Sequence, residues 1–194
     1  MLADIHATGN LFGLSYFDQK KSRAEIPPAG HVGCAAEVTE TQKLPDGRSN
    51  ILAVGLIRYR VEDYVERSEP YLVARVSFFA DDEEEDHEAL AEHSREVAEM
   101  FMRVARAVRV MNDERDDLPD IADTEPQRLS FLVAAAMEID AEEKQQMLEL
   151  RSTSERLGRL RDMLERALPG YEERARLHVI ARGNGHGGRK IEIE

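Results

Sequence analysis

Several groups of residues in this chain have types and spacings that bear on chemistry. A phosphate-binding loop takes the form Gly-x4-Gly-Lys-Ser/Thr, in which backbone amides cradle phosphates and the lysine reaches them. Gly183-Asn184-Gly185-His186-Gly187-Gly188-Arg189-Lys190-Ile191 comes near that form, but Arg189 holds the lysine position, and no strand precedes it and no helix follows. A flexible, Gly-rich tail over 183–194 is the expectation, with neither an ATPase nor a nucleotide cofactor. Metal sites need ligands grouped at helical or hairpin spacing. His87 and His93 stand six apart, on different faces of a helix, and His6, His31, His178 and His186 have no recurring partners, so no metal is expected. Cys34 is the single cysteine and opens an apolar run with His31 three residues before it. In a strand those two positions point to opposite faces, so a buried structural thiol is expected rather than a nucleophile. The carboxylate runs Asp81–Asp86 and Asp113–Asp117 read as solvated surface. No catalytic residue is expected.

Composition narrows the classes further. The 194 residues hold 26 Lys+Arg against 39 Asp+Glu, a formal net charge of −13. That balance argues against a protein that tracks nucleic-acid phosphates. The basic candidates, Lys20-Lys21-Ser22-Arg23 and Arg58-Tyr59-Arg60, form no broad patch, so a nucleic-acid partner is not expected. No run approaches 18 apolar residues, which leaves no membrane span. Met1-Leu2-Ala3-Asp4 does not open like a signal peptide, and a cytoplasmic protein is the expectation.

The elements divide the chain. Residues 1–80 carry 9 basic and 10 acidic residues and 8 of the 11 Phe and Tyr, whereas 81–194 carry 17 basic and 29 acidic. The first part reads as a short helix within Met1 to Asn10, followed by strands at Leu11 to Phe17, Val32 to Gln42, Ile51 to Val61 and Tyr71 to Phe79. Leu72, Ala74, Val76 and Phe78 alternate onto one face of the last strand. Leu44-Pro45-Asp46-Gly47-Arg48 is a hairpin turn, and Ile26-Pro27-Pro28-Ala29-Gly30 a loop. The second part reads as helices. Leu90, Ser94, Val97, Phe101, Val104, Val108 and Met111 recur at steps of three and four, and Pro126 opens a second helix. Asp140-Ala141-Glu142-Glu143 and Ser152-Thr153-Ser154-Glu155 are capping boxes for two more. Pro169-Gly170 is expected to end the helix carrying Leu157, Leu160, Leu164 and Leu168, with another from Tyr171 to about Arg182.

The order of these motifs carries a resemblance. Leu11-Phe12-Gly13 leads to Val32-Gly33. Lys43-Leu44-Pro45-Asp46-Gly47-Arg48 leads to Ile51-Leu52 and to Gly55-Leu56-Ile57-Arg58-Tyr59-Arg60-Val61. An acidic linker, a long helix, Pro126-Gln127-Arg128-Leu129, Lys144-Gln145-Gln146-Met147-Leu148-Glu149 and Glu155-Arg156-Leu157 follow. From Met1 to Leu168 the chain resembles the amino-terminal, substrate-binding domain of the Lon ATP-dependent proteases, and the free-standing bacterial proteins consisting of that domain alone. The resemblance implies an α+β fold, with a PUA-like, mostly antiparallel β-domain over 1–80 and a helical bundle over 81–182. The family's domain begins with two further strands, and here Met1 falls within the helix that follows them. A truncated β-domain, with an exposed sheet edge and apolar face, is therefore expected.

The resemblance also implies a non-catalytic module that binds unfolded, damaged or tagged polypeptides, with a protease or a second copy as further partners. Alternatives are a fragment of a Lon-type serine protease, or an RNA-binding PUA-like protein. The residues expected to contribute to polypeptide binding are Tyr16, Phe17, Ile26, Pro27, Pro28, Tyr64, Tyr71 and Phe79, apolar groups at strand ends and in loops.

Overall fold

A computed structural model of the chain describes residues 1–18, 20, 25–66 and 69–184. The residues Lys21-Ser22-Arg23 of the basic loop, and 185–194 of the expected tail with its phosphate-loop likeness, lie outside the described residues. The elements are α1 (Leu2–Ala7), β1 (Leu11–Leu14), β2 (Val32–Lys43), β3 (Ser49–Tyr64), β4 (Ala74–Phe79), α2 (His87–Asn112), α3 (Pro126–Ala136), α4 (Ala141–Glu149) and α5 (Thr153–Asn184). They form two compact units, one of Met1–Asp81 with Ile139–Arg151, the other of Asp82–Glu138 with the chain from Ser152 onward. The α4 segment thus groups with the sheet, where the sequence reading ran the bundle unbroken from 81 to 182.

The first unit is an antiparallel sheet in the order β1-β2-β3-β4, which leaves β1 and β4 as edges among the described residues. The β2–β3 turn closes as its composition dictates. Gly47 takes a φ of 83°, the Leu44 amide donates to the Arg48 carbonyl at 2.8 Å, and Asp46 accepts from the Arg48 amide at 3.1 Å. The pairing register shifts between Ala35 and Ala36, between Val38 and Glu40, and between Val61 and Asp63. Each extra residue bends its strand and sharpens the twist, so the sheet curls instead of lying flat.

Tyr59 anchors the curl. Its hydroxyl bonds Ser15 Oγ at 2.9 Å and donates to the Leu14 carbonyl at 3.2 Å. A Cβ on Gly33 would collide with the Tyr59 ring and the Leu14 carbonyl, so only glycine lets the ring lie there. Helix α4 docks on β2, where Gln145 Nε2 donates to the Val32 carbonyl at 3.0 Å.

In the second unit α2, α3 and α5 pack around Val97, Leu129, Val133, Leu157, Leu160 and Leu164. The caps follow their sequence signals. Asp86 accepts from the Ala89 amide at 2.9 Å, and Glu125 from the Gln127 and Arg128 amides beside Pro126. Ser152 Oγ accepts from the Glu155 amide at 3.0 Å. The Glu84 carboxylate accepts from Ser152 Oγ and from the Ser154 amide, both at 2.9 Å, where the helix dipole favours an anion.

One expectation fails. Helix α5 continues through Pro169 and Gly170 to Asn184, and no second helix starts at Tyr171. Proline removes one hydrogen bond and crowds the carbonyl four residues before it, here that of Glu165, at a cost of about 3 kcal/mol. Packing offsets that cost, because Leu168 and Ala175, on either side of the interruption, are both buried. Beyond the proline, Arg103 of α2 donates to Glu172 at 2.7 Å, and Asp113 at the end of α2 accepts from Arg182. Pro169→Ala is therefore expected to stabilise the unit by about 1–3 kcal/mol, since it restores a donor without disturbing an exposed site. Thermal unfolding checks this; an unchanged or lower midpoint would show that the helix has no strain to relieve there.

Candidate functional site

A concavity lies on one face of the sheet. Three cross-strand pairs floor it: Tyr59 with Phe78, Val61 with Val76, and Tyr64 with Ala74. Leu11, Phe12 and Gly13 of β1 close one side, and Phe17 and Pro27 reach in from the loop between β1 and β2. The cleft has a volume of about 820 Å³. The small residues Gly13 and Ala35 face each other in the register, and the Tyr59 ring fills the space that a side chain on Gly13 would take. Its character is apolar with a polar lip of Asp18, Lys20 and Glu25.

The floor is incompletely covered. Phe78 of β4 is 58% exposed, and Leu72, just before that strand, 57%. Large apolar groups thus cluster on an open face beside strands β1 and β4, which have no further neighbouring strand among the described residues. A second exposed apolar stretch lies along β3 at Ile51, Leu52, Val54, Leu56 and Ile57.

Among the shifted titratable groups, Tyr64 and Cys34 lie in the strands themselves. Burial pushes the Tyr64 phenol up, and its hydroxyl donates to the Pro27 carbonyl at 2.8 Å, which ties the loop to β3. Burial likewise pushes the Cys34 thiol up, against opposing backbone hydrogen bonds from Leu56 and Ile57. A raised thiol is a poor nucleophile. His31 stacks edge-on against Phe17 with ring centroids 6.5 Å apart. Among the described residues no three His, Cys, Asp or Glu side chains gather as metal ligands would. No helix among them is long and apolar enough to cross a membrane.

The residues singled out from the sequence are dispersed. Phe17, Pro27 and Tyr64 line the cleft. Tyr16, Ile26 and Pro28 are exposed but outside it. Tyr71 lies in a smaller adjoining depression with Tyr64 and Leu72, and its hydroxyl donates to Asp4 at 3.2 Å. Phe79 packs on the reverse face of β4 beneath the Arg58 guanidinium, 4.6 Å from the ring centroid. Leu11, Phe12, Tyr59, Leu72, Val76 and Phe78 were not among the expected binding residues. The signal for three of them was the 72–78 alternation, which is compatible with both a core face and an open one.

Arg58, grouped from the sequence with Arg60 as a basic strand cluster, is not presented to solvent. It is 6% exposed and pairs with Asp81, itself 7% exposed. It also donates to the carbonyls of Leu148, at 2.9 Å, and Leu150, where α4 ends with unpaired acceptors.

Comparison with known proteins gives one consistent picture. The family model described as the ATP-dependent protease La (LON) substrate-binding domain matches residues 1–166. Lon protease 2 of Herpetosiphon aurantiacus is 30% identical over 151 residues, covering 73% of this chain and 17% of the relative. Lon protease of Bacillus thuringiensis is 31% identical over 136 residues, covering 69% of this chain and 16% of the relative. The chain thus spans less than a fifth of the length of these curated relatives. Among solved structures, a Lon N-terminal domain protein from Xanthomonas campestris aligns with a TM-score of 0.53 at 20% identity, covering 81% of this chain and 78% of that one. The N-terminal domain of the Mycobacterium avium complex Lon protease aligns with a TM-score of 0.52 at 19% identity, covering 81% and 90%. The α+β architecture is the fold of these domains.

Proposed function

Because the chain belongs to the ATP-dependent protease La (LON) substrate-binding domain family, we propose that it is a non-catalytic recognition module that takes extended stretches of unfolded or damaged polypeptide on the open face of its sheet. The observation that carries this reading is the pairing of an exposed apolar floor, Phe78 and Leu72, with a β4 edge that has no neighbouring strand among the described residues. An apolar floor contributes affinity through burial, and a free edge offers backbone hydrogen bonds that any sequence can satisfy. Together they suit a site that takes many clients. The cytoplasm is the compartment this function implies.

Phe78→Asp is the direct test. The side chain is mostly in solvent, so the variant should unfold at nearly the parent temperature. Its binding to a reduced and alkylated, permanently unfolded protein should weaken by at least tenfold, the effect of removing a central apolar anchor. Unaltered binding, or no binding by the parent at tens of micromolar, would remove the cleft as the site.

A second reading has its own support. The relatives are several times longer than this chain, so the module would serve as the capture part of an ATP-dependent protease. The coding sequence beyond Glu194 distinguishes the two, since a continuing frame with a phosphate loop favours the protease and a stop codon the free-standing module. The RNA-binding alternative loses Arg58, whose donors are taken up by Asp81 and the end of α4.

A further inference from the structure

Helix α5 changes character at Pro169-Gly170. Before that point Leu157, Leu160, Leu164 and Leu168 are buried and anchor the helix in the core of its unit. After it Ala175 is the buried side chain, and Leu177, Val179 and Ile180 are exposed. What holds this second half against α2 is polar and largely in solvent. Glu172 accepts from Arg103 at 2.7 Å, His178 bonds Asp113 at 3.1 Å, and Asp113 also accepts from Arg182. Exposed pairs of this kind each contribute little and are screened by salt. Along the same stretch of α2, from Arg103 to Asn112, Ala107 is the buried residue. Val104 and Met111 lie a turn to either side of it on the same face, and both are half-buried.

The junction between the two halves is weak in its backbone. Pro169 leaves the Glu165 carbonyl without its helical donor, and glycine has the lowest helix propensity after proline. The Gly170 carbonyl accepts from Nε of the Arg174 side chain at 3.0 Å. A missing rung in the helical ladder therefore separates a well-packed half from a lightly held one. We infer that residues 171–184 form a strap that detaches from α2 as a unit about Pro169-Gly170, uncovering the apolar stripe Val104, Ala107 and Met111 while the rest of the bundle stays folded. Local opening of this kind belongs to the elements with the least buried apolar surface. The strap is closed in the structure, and its charged tethers make the opening respond to ionic strength.

Residue-resolved hydrogen exchange of the full chain under native conditions tests this. Amides from Glu173 to Arg182 should be less protected than those from Leu157 to Leu168 by about a hundredfold or more, with a step at Pro169-Gly170. Their exchange should also depend less on added urea, because opening the strap exposes little surface. Added salt should speed the distal set alone. Pro169→Ala combined with Gly170→Ala, where nothing lies within 4 Å of the added Cβ at position 170, should slow the distal set by about tenfold and flatten the step. Asp113→Asn keeps a residue suited to the left-handed backbone at φ 58° but removes the anion shared by His178 and Arg182. It should speed distal exchange by about threefold or more and leave the proximal set unchanged. A merely frayed helix end would show protection falling evenly towards the terminus. That even gradient, equal protection on the two sides of Pro169-Gly170, or a distal set unmoved by the double replacement would overturn the inference.

Discussion

Arg58→Ala is expected to destabilise the first unit by about 3–5 kcal/mol, the cost of leaving one partner of a buried ion pair uncompensated. The magnitude follows from what the side chain holds together. Its guanidinium meets Asp81 where β4 gives way to the acidic linker, satisfies the Leu148 and Leu150 carbonyls at the end of α4, and covers the Phe79 ring. One residue of β3 therefore fastens the sheet to a helix far along the chain. For a domain near this size each kcal/mol moves the midpoint by roughly 4–8 °C, so a drop of about 15 °C or more should appear in circular dichroism. A companion variant, Arg58→Met with Asp81→Leu, removes both charges and keeps apolar volume. It should recover part of the loss and not all, because the two helix carbonyls remain without donors. A shift under about 3 °C for Arg58→Ala would show that the pair is solvated.

The second large effect belongs to Arg156 in the other unit. This side chain is fully buried near the start of α5. Its Nε donates to Ser130 Oγ at 2.7 Å, a terminal nitrogen donates to Thr153 Oγ1 at 3.3 Å, and the guanidinium lies 3.9 Å from the Phe131 ring centroid. Arg156→Ala should cost about 3–4 kcal/mol, combining a large cavity, lost hydrogen bonds and a lost cation–π contact. Arg156→Lys keeps the charge but not the planar fork, and should recover less than half of that. Denaturant unfolding measures both. If lysine restored full stability, the planar fork would have no special role at this position.

These two arginines mark the boundary of what pattern reading reaches. Arg58 stands in an alternating Arg-Tyr-Arg run that looks like solvent-facing strand, and Arg156 in a Glu-Arg-Leu helix start that looks amphipathic. Their burial depends on partners 23 and 92 residues away for Arg58, and 26 away for Arg156. No local periodicity encodes such distances. The continuity of α5 through Pro169-Gly170 has the same origin, since burial of Leu168 and Ala175 outweighs a local breaker.

What the amino-acid order determined by itself was local. The Pro-Asp-Gly turn, the Asp140 and Ser152 caps, the period-two strands and the period-three-and-four stripes each depend on neighbours within a few residues, and each lies where its chemistry places it. Tertiary structure alone decided which apolar faces meet one another and which stay open. The alternation of Leu72, Val76 and Phe78 is the same whether a second layer covers it or solvent does, and exposure is set by residues that are distant in sequence and adjacent only once the chain has folded.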